Sequence, residues 1–430
     1  MQHTLIGTSP DDFCVVRLRD VLVANDAGVW GLEPVDNEGV VTIRSTNFTN
    51  EGRLDLTDVA SRTLSPGKHE EKRLYLGDIL IERSGGSDTQ PVGRVGFVSS
   101  EIAKRNPVFA NFIQRIRVSE EMDPRYVYLA LLRLYQLGIT QAMQFQTTGI
   151  RNLDFKFYLR TVIPKPRKAE QQTIASALFQ VDQNIVGTET SIAAAKKLRQ
   201  ALMQNLLTGK LKPDGTLRRE DEYHVDPKFG RVPKRWSVKK GKILFRIHGS
   251  TASKDSRGAP LGTTCLFMKV DDFNTPANDP LIVETESSFE SPSPKPVYPC
   301  KPGWIVVAKR GAAISHNRVR ILAREAILDP NLMAIEMLGE ESPEYFRYLL
   351  LLERLDRYSE VSSIPQLNNK DLYPRSFVMP PPDEQSEILR AIELVEAVVK
   401  CRNEKLSSLR TLKTALMQNL LTGKIRIPAE

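Results

Sequence analysis

Cysteine is scarce in this chain of 430 residues: Cys14, Cys265, Cys300 and Cys401 are the full set. None stands at metal-ligand spacing from another cysteine or a histidine, so zinc chemistry and any other metal site are not expected, and a reduced, cytoplasmic setting is. The five histidines, His3, His69, His224, His248 and His316, are equally dispersed. Long apolar runs are missing too. The densest, Leu349 to Leu352, is flanked by charge, and nothing approaches the roughly 18 residues of a membrane span. The first residues carry Asp11, Asp12 and Arg17 without an apolar stretch, so no signal peptide is expected. Catalytic motifs are also lacking. There is no P-loop, HExxH or GxSxG. Ser84-Gly85-Gly86 lacks the GxGxxG spacing, and Pro380-Pro381-Pro382-Asp383 is in the wrong order for the Asn/Asp-Pro-Pro-aromatic signature of amino-methyltransferases. Glu70-Glu71-Lys72 offers an E-x-K triplet with no partner aspartate. A non-enzyme with no catalytic residues and no cofactor of its own is therefore expected.

What the chain does have is a repeat. ALMQNLLTGK occupies Ala201 to Lys210 and again Ala415 to Lys424, 214 positions apart. Upstream, Glu170-Gln171 matches Glu384-Gln385, Ile174 matches Ile388, Val181 matches Val395, and Ile150 matches Ile364 at the same offset. The period is far too long for a solenoid and means two copies of one large unit. Before about residue 148 the register drifts, although Gly77 to Arg83 still resembles Gly303 to Lys309, and Pro124-Arg125-Tyr126 resembles Pro343-Glu344-Tyr345. Each half thus joins a diverged globular part to a segment of fixed length. The diverged parts are suited to different ligands and the constant segments to a spacer.

Those constant segments read as helices. Between Glu170 and Leu207 there is no proline and one glycine, Gly187, with apolar or small residues at Ile174, Leu178, Val181, Ile185, Ile192, Ala195, Leu198, Leu202 and Leu206. The second copy places Ile388, Ile392, Val395, Val399, Leu406, Leu409, Leu412, Leu416 and Leu420 in the same way. Spacings of three and four make a helical stripe. Asp383 is a candidate N-cap, and Gly209 and Gly423 are candidate left-handed C-caps. Two rods of roughly 55 Å, each with one apolar stripe, pack most simply as an antiparallel pair. A plain coiled-coil brace explains the leucines but not the repetition of Gln204 and Asn205 as Gln418 and Asn419. Closed by Lys210 and Lys424, these repeated polar positions point to two copies of one protein partner.

The net charge is +8, with 27 Lys/Arg against 23 Asp/Glu up to Pro213 and 33 against 29 after it. Both halves share the mild basic excess, a weak pointer to a polyanion. The globular parts hold short β-like runs (Val40 to Ile43, Ile79 to Ile81, Val95 to Val98, Ile305 to Val307) and one amphipathic helix each, near Pro124 to Leu137 and Pro343 to Arg357. The fold class is α+β. The expected division is a first domain over 1–165, a helix in 166–210, a linker over 211–235, a second domain over 236–380 and a second helix in 381–425. Loops that could read DNA group basic residues with amides and hydroxyls: Arg83, Ser84 and Arg94, then Thr147, Thr148, Arg151 and Asn152. Their counterparts are Lys309, Arg310, Ser315, His316, Asn317 and Arg318, then Ser363, Gln366 and Asn368. Arg and Lys suit guanine edges, Asn and Gln suit adenine, and Ser and Thr hold phosphates. Taken singly, each reads more readily as a solvated polar loop, and the clusters gain weight only because they recur at matching places in both halves.

The chain resembles the DNA specificity subunit of type I restriction-modification systems. The resemblance rests on Gly77-Asp78-Ile79-Leu80 running to Arg83-Ser84-Gly85, and on Thr148-Gly149-Ile150 with Leu153. The helix starts Pro166/Glu170/Gln171/Ile174 and Pro382/Glu384/Gln385/Ile388, and the endings Leu206 to Lys210 and Leu420 to Lys424, complete it. The second half departs at Ser363-Ile364-Pro365, which lacks the glycine, and at Gly303-Trp304, which lacks the aspartate. The resemblance implies two target-recognition domains, each reading half of a split double-stranded DNA site, separated by an antiparallel coiled coil with pseudo-two-fold symmetry. It implies two methyltransferase subunits docked on the repeated helical ends, carrying S-adenosylmethionine for adenine-N6 methylation, and restriction subunits using ATP and Mg2+ as further partners. The alternatives are a fused or stand-alone methyltransferase or nuclease, or a coiled-coil adaptor that binds only protein.

Overall fold

The computed structural model describes residues 1–34, 39–87, 90–147, 150–249, 265–289, 298–359 and 365–427. The chain divides into two compact units, Met1–Thr190 with Glu404–Glu430, and Ser191–Asn403.

In the first unit a sheet orders its strands as Leu22–Ala27, Ile113–Val118, Ile79–Glu82 and Val95–Phe97, all antiparallel. Ile79 to Glu82 is buried at every position, as a short unbroken apolar run allows. Its side chains alternate between two cores. Ile79 and Ile81 join Tyr126, Leu129 and Leu132 of the helix Pro124–Gln136, while Leu80 joins Ile43, Phe109 and Ile113. The second unit repeats the order with Phe245–Gly249, Leu332–Met337, Ile305–Ala308 and Val319–Leu322, and adds Leu281–Ile282 in parallel at the edge. The helix Pro343–Glu353 stands where Pro124–Gln136 stands in the first. Asp123 and Ser342 cap these two helices, accepting from Tyr126 N and Tyr345 N. The stretch expected as a bare linker instead folds back as a hairpin, Tyr223–Asp226 on Gly230–Pro233.

The constant segments are helices Lys168–Leu207 and Pro382–Leu420, 40 and 39 residues long, or about 60 Å each at 1.5 Å per residue. Asp383 is not the cap expected: it lies inside the first turn, behind Pro382, because proline's fixed φ suits the first helical position. It pairs instead with Arg235 at 2.6 Å. Each unit contains the first part of one helix and the last part of the other. In the first unit Asp182 pairs with Lys413 (2.7 Å) and Glu189 with Arg410 (2.9 Å). The partner number falls as the first rises, so the two segments run antiparallel. In the second unit Arg199 meets Glu396 at 3.4 Å, and Arg402 donates to the Ser191 carbonyl at 2.9 Å, with the same sense.

Asp182 and Arg199 plus the repeat of 214 give Glu396 and Lys413, so the same ion pair occurs in both units. These charges also correct the expected stripe. Leu198 is 53% and Leu412 46% exposed, because at their level the seam passes through Arg199 and through Lys413. Lys413 is buried.

The helix starts are fastened identically. Gln171 and Gln385 are fully buried. Each donates from Nε2 to a proline carbonyl five residues back, Pro166 or Pro380, at 2.9 Å. Each accepts, at Oε1, the backbone N–H of the residue capping its neighbouring helix, Asp123 at 2.8 Å or Ser342 at 2.9 Å. Beside them, Glu170 holds Arg426 at 2.8 Å and Glu384 holds Arg218, arginines that follow the two copies of the identical block.

Glu189 is shared by Arg53 (2.7 Å) and Arg410, and the Arg53 guanidinium foremost holds its carboxyl below the usual glutamate range. A carboxyl depressed by folding stabilises the folded state above its unfolded pKa, and that contribution disappears as pH falls through the folded value. Glu189→Gln is therefore expected to lower the thermal midpoint at pH 7 and to match the parent near pH 3. Parallel melting curves at both pH values would contradict this.

Candidate nucleic-acid interface

In the first unit the candidate reading residues meet on one small sheet. Gln144–Thr147 pairs antiparallel with Ile150–Leu153, which pairs in turn with Ser84–Gly86. Ser84 follows directly on the central strand Ile79–Glu82 and Arg83, so the core sheet positions this edge. Ser84 Oγ donates to Asn152 Oδ1 at 2.6 Å, and Asn152 Nδ2 donates to the Ile150 carbonyl at 3.1 Å. Arg83 donates to Gln114 Oε1 at 3.2 Å. Arg151 reaches the Ser87 carbonyl at 3.5 Å. Ser84 is buried, while Arg83, Arg151 and Asn152 are partly exposed. Thr147 lies on the strand, and Thr148 falls outside the described residues.

Arg94 does not belong to this surface. It is 5% exposed. Its Nε and Nη2 grip the Glu82 carboxylate at 2.8 and 2.6 Å, and Nη1 donates to the Phe48 carbonyl at 2.6 Å. Burial pushes the Glu82 carboxyl up, opposed by Arg94. The arginine is there because a buried carboxylate needs a buried partner.

In the second unit Lys309 and Arg310 continue from the strand Ile305–Ala308, and Arg310 bridges to Gln366. The Lys309 carbonyl accepts from Leu367 N at 3.0 Å, and Gly311 N donates to the Pro365 carbonyl at 2.9 Å. The structure thus joins these two sequence clusters as it joins Ser84 to Asn152. Ser315 and His316 are exposed on the following turn, and Arg318 is bonded to Asn274. Two residues take other work. Asn317 has a φ of +48°, and its side chain bonds the Leu351 carbonyl (3.0 Å) and Leu355 N (2.9 Å), closing the end of the helix Pro343–Glu353. Asn368 caps the turn Asn369–Leu372. Ser363 falls outside the described residues.

The repeated helical ends divide into an inner and an outer face. Leu206 and Leu207 enter the core of the second unit, and Met417, Leu420 and Leu421 that of the first. Gly209 and Gly423 adopt φ of +70° and +71°, and a Cβ on Gly209 would sit 2.4 Å from Pro233 Cγ. Packing and the left-handed turn therefore explain the leucines and glycines. The Asn205 carbonyl accepts from Lys210 N and Leu211 N. Gln204, Gln418, Lys210 and Lys424 are exposed, and Asn205 and Asn419 half-buried. Leu198 and Leu412, expected on the buried stripe, are exposed in both copies, as are Ala201 and Ala415. Gln141, Gln144, Phe145 and Gln146, not singled out in the sequence, line a cavity beside the small sheet. The signal available was the alternating Gln-Phe-Gln-Thr of a strand with amides on one face.

A duplicated fold with a polar, basic edge on each copy defines a class of paired recognition modules. Residues 10–197 match the family described as type I restriction modification DNA specificity domain. The chain is 24% identical to the type I restriction enzyme MjaVIII specificity subunit of Methanocaldococcus jannaschii, over 97% of this chain and 94% of that one. Its fold is similar to that of the HsdS subunit from Thermoanaerobacter tengcongensis, at 15% identity and TM-score 0.51, covering 97% and 98% of the two chains. It is also similar to a chain from a structural account of complex assembly and conformational transition in the type I R-M system, at 16% identity and TM-score 0.60, covering 97% and 100%. Residues 10–197 thus match a type I restriction modification DNA specificity domain, and the chain as a whole is similar to specificity subunits of type I restriction enzymes. Among the described residues, no helix is long and apolar enough to cross a membrane.

Arg94→Ala strands a fully buried Glu82 and is expected to cost on the order of 3–5 kcal/mol of stability. Arg310→Ala, at an exposed site, should stay within about 0.5 kcal/mol. Urea unfolding of both variants checks this, and equal, small losses would put Arg94 back on the surface.

Proposed function

We propose that this chain is the sequence-reading subunit of a type I restriction-modification complex and that each unit reads one half of a split double-stranded DNA target. The observation that carries the reading is the doubling of a whole recognition assembly. The same sheet order recurs in both units, and in each a central strand runs on to a polar edge, through Arg83 and Ser84 or Lys309 and Arg310. Loops can diverge on such a scaffold while the scaffold holds their position. Base edges supply sequence information, and basic residues supply the salt-dependent attraction to phosphate.

In this reading the residues that face DNA are Arg83, Ser84, Thr147, Thr148, Arg151 and Asn152 on one unit and Lys309, Arg310, Ser315, His316, Arg318, Ser363 and Gln366 on the other. The two long helices act as an antiparallel coiled-coil spacer that sets the gap between half-sites. The doubled outer face, Gln204, Asn205 and Lys210 with Gln418, Asn419 and Lys424, takes two methyltransferase subunits. Those partners carry S-adenosylmethionine and methylate adenine N6, and restriction subunits bring ATP and Mg2+. The chain itself selects sequence and holds the assembly, and its own residues make no bond to a reacting atom.

The test is methylated-adenine mapping in cells that express the chain with its methyltransferase partner. Exchanging residues 13–165 for those of a related subunit is expected to change one half-site and leave the other. Deleting two turns from both helices at repeat-equivalent positions should shorten the gap by about three base pairs, with the half-sites kept. A changed gap after the domain exchange, or changed half-sites after the deletion, contradicts the division of labour. A purified chain that retains no duplex DNA at low salt would favour the protein-only adaptor.

A further inference from the structure

In the first unit a cavity of about 240 Å3 opens beside the small three-stranded sheet, lined by Pro91, Gln141, Gln144, Phe145, Gln146 and Arg151. Strand alternation accounts for the lining. Gln144 and Gln146 lie two apart on one face of their strand, and the cross-strand partner of Gln146 is Arg151. Phe145, 49% exposed, stands at the rim. Gln144 Nε2 is buried and has no hydrogen-bond partner. A buried donor without an acceptor is destabilising, and a ligand that brings an acceptor relieves it.

The chemistry of this cavity selects its ligand class. Among the described residues, the lining holds no carboxylate. Three neutral amides outnumber one guanidinium, a poor match for phosphate, which is held by charge and backbone N–H groups. A side-chain amide presents one donor and one acceptor side by side, the complement of the N7 acceptor and N6 amino donor of adenine in the major groove. We propose that Gln144 and Gln146 read an adenine edge in the half-site bound by the first unit, with Phe145 against the thymine methyl of a neighbouring pair. This rests on the DNA-reading function above and names two specificity-determining residues for it.

The experiment selects bound duplexes from a library with two randomised blocks, using the full chain, and sequences the pools for the parent, Gln144→Leu, Gln146→Leu and Gln144→Glu. The parent pool is expected to show two sequence blocks. Each leucine variant should lose adenine preference at one position of one block by on the order of tenfold, while the other block persists and reports an intact fold. Gln146 is exposed, so its variant keeps the fold even where Gln144→Leu does not. Gln144→Glu should shift the choice toward cytosine, whose amino group a carboxylate accepts. Variant pools identical to the parent, or loss of a guanine in place of an adenine, overturn the assignment and leave the DNA reading standing. A parent pool with no blocks sinks the DNA reading, and this inference with it.

Discussion

Two buried glutamines tie each long helix to its own sheet-and-helix fold. Gln171 and Gln385 each use one amide to close the turn before their helix and to satisfy the backbone N–H at the cap of the neighbouring helix. A fully buried amide with a donor and an acceptor both engaged allows little rotation, and losing either bond leaves an orphaned polar group inside the protein. The start of each long helix is thereby held against the helix that backs the central sheet of the same unit.

The pairing of the helices follows the same economy. Within each unit an acid from one helix meets a base from the other, at positions that the repeat of 214 residues makes equivalent, Asp182 with Lys413 and Glu396 with Arg199. Asp182 and Lys413 are largely withdrawn from solvent while Arg199 and Glu396 are more exposed, and a slipped register would separate each acid from its base. Leu198 and Leu412, displaced from the seam by these charges, stay half exposed in both copies.

The two units keep the same turn and change the residue that follows it. Gly77 and Gly303 both turn with positive φ before equivalent strands. Yet Asp78, buried and paired with Arg117, is replaced by Trp304, stacked 4.1 Å from His248. The edges that follow share their position and differ in their chemistry. This is the pattern expected when two readers built on one scaffold address different sequences.

The duplication, both long helices, the glycine turns at Gly209 and Gly423 and the α+β class were legible in the sequence, because identity, the 3.6-residue period and the conformational demands of glycine act locally. The antiparallel direction was an argument from symmetry that the ion pairs within each unit support. Tertiary structure alone decided the rest. It placed Arg94 in the core because Glu82 was already buried there, and turned Asn317 inward to close a helix end. It routed the seam through Arg199 and Lys413, and it gathered Gln144, Gln146 and Arg151, five residues apart in sequence at the nearest across the hairpin, around one cavity. Whether a polar side chain faces a ligand or a buried partner depends on what lies opposite it, and nothing in its immediate neighbours along the chain records that.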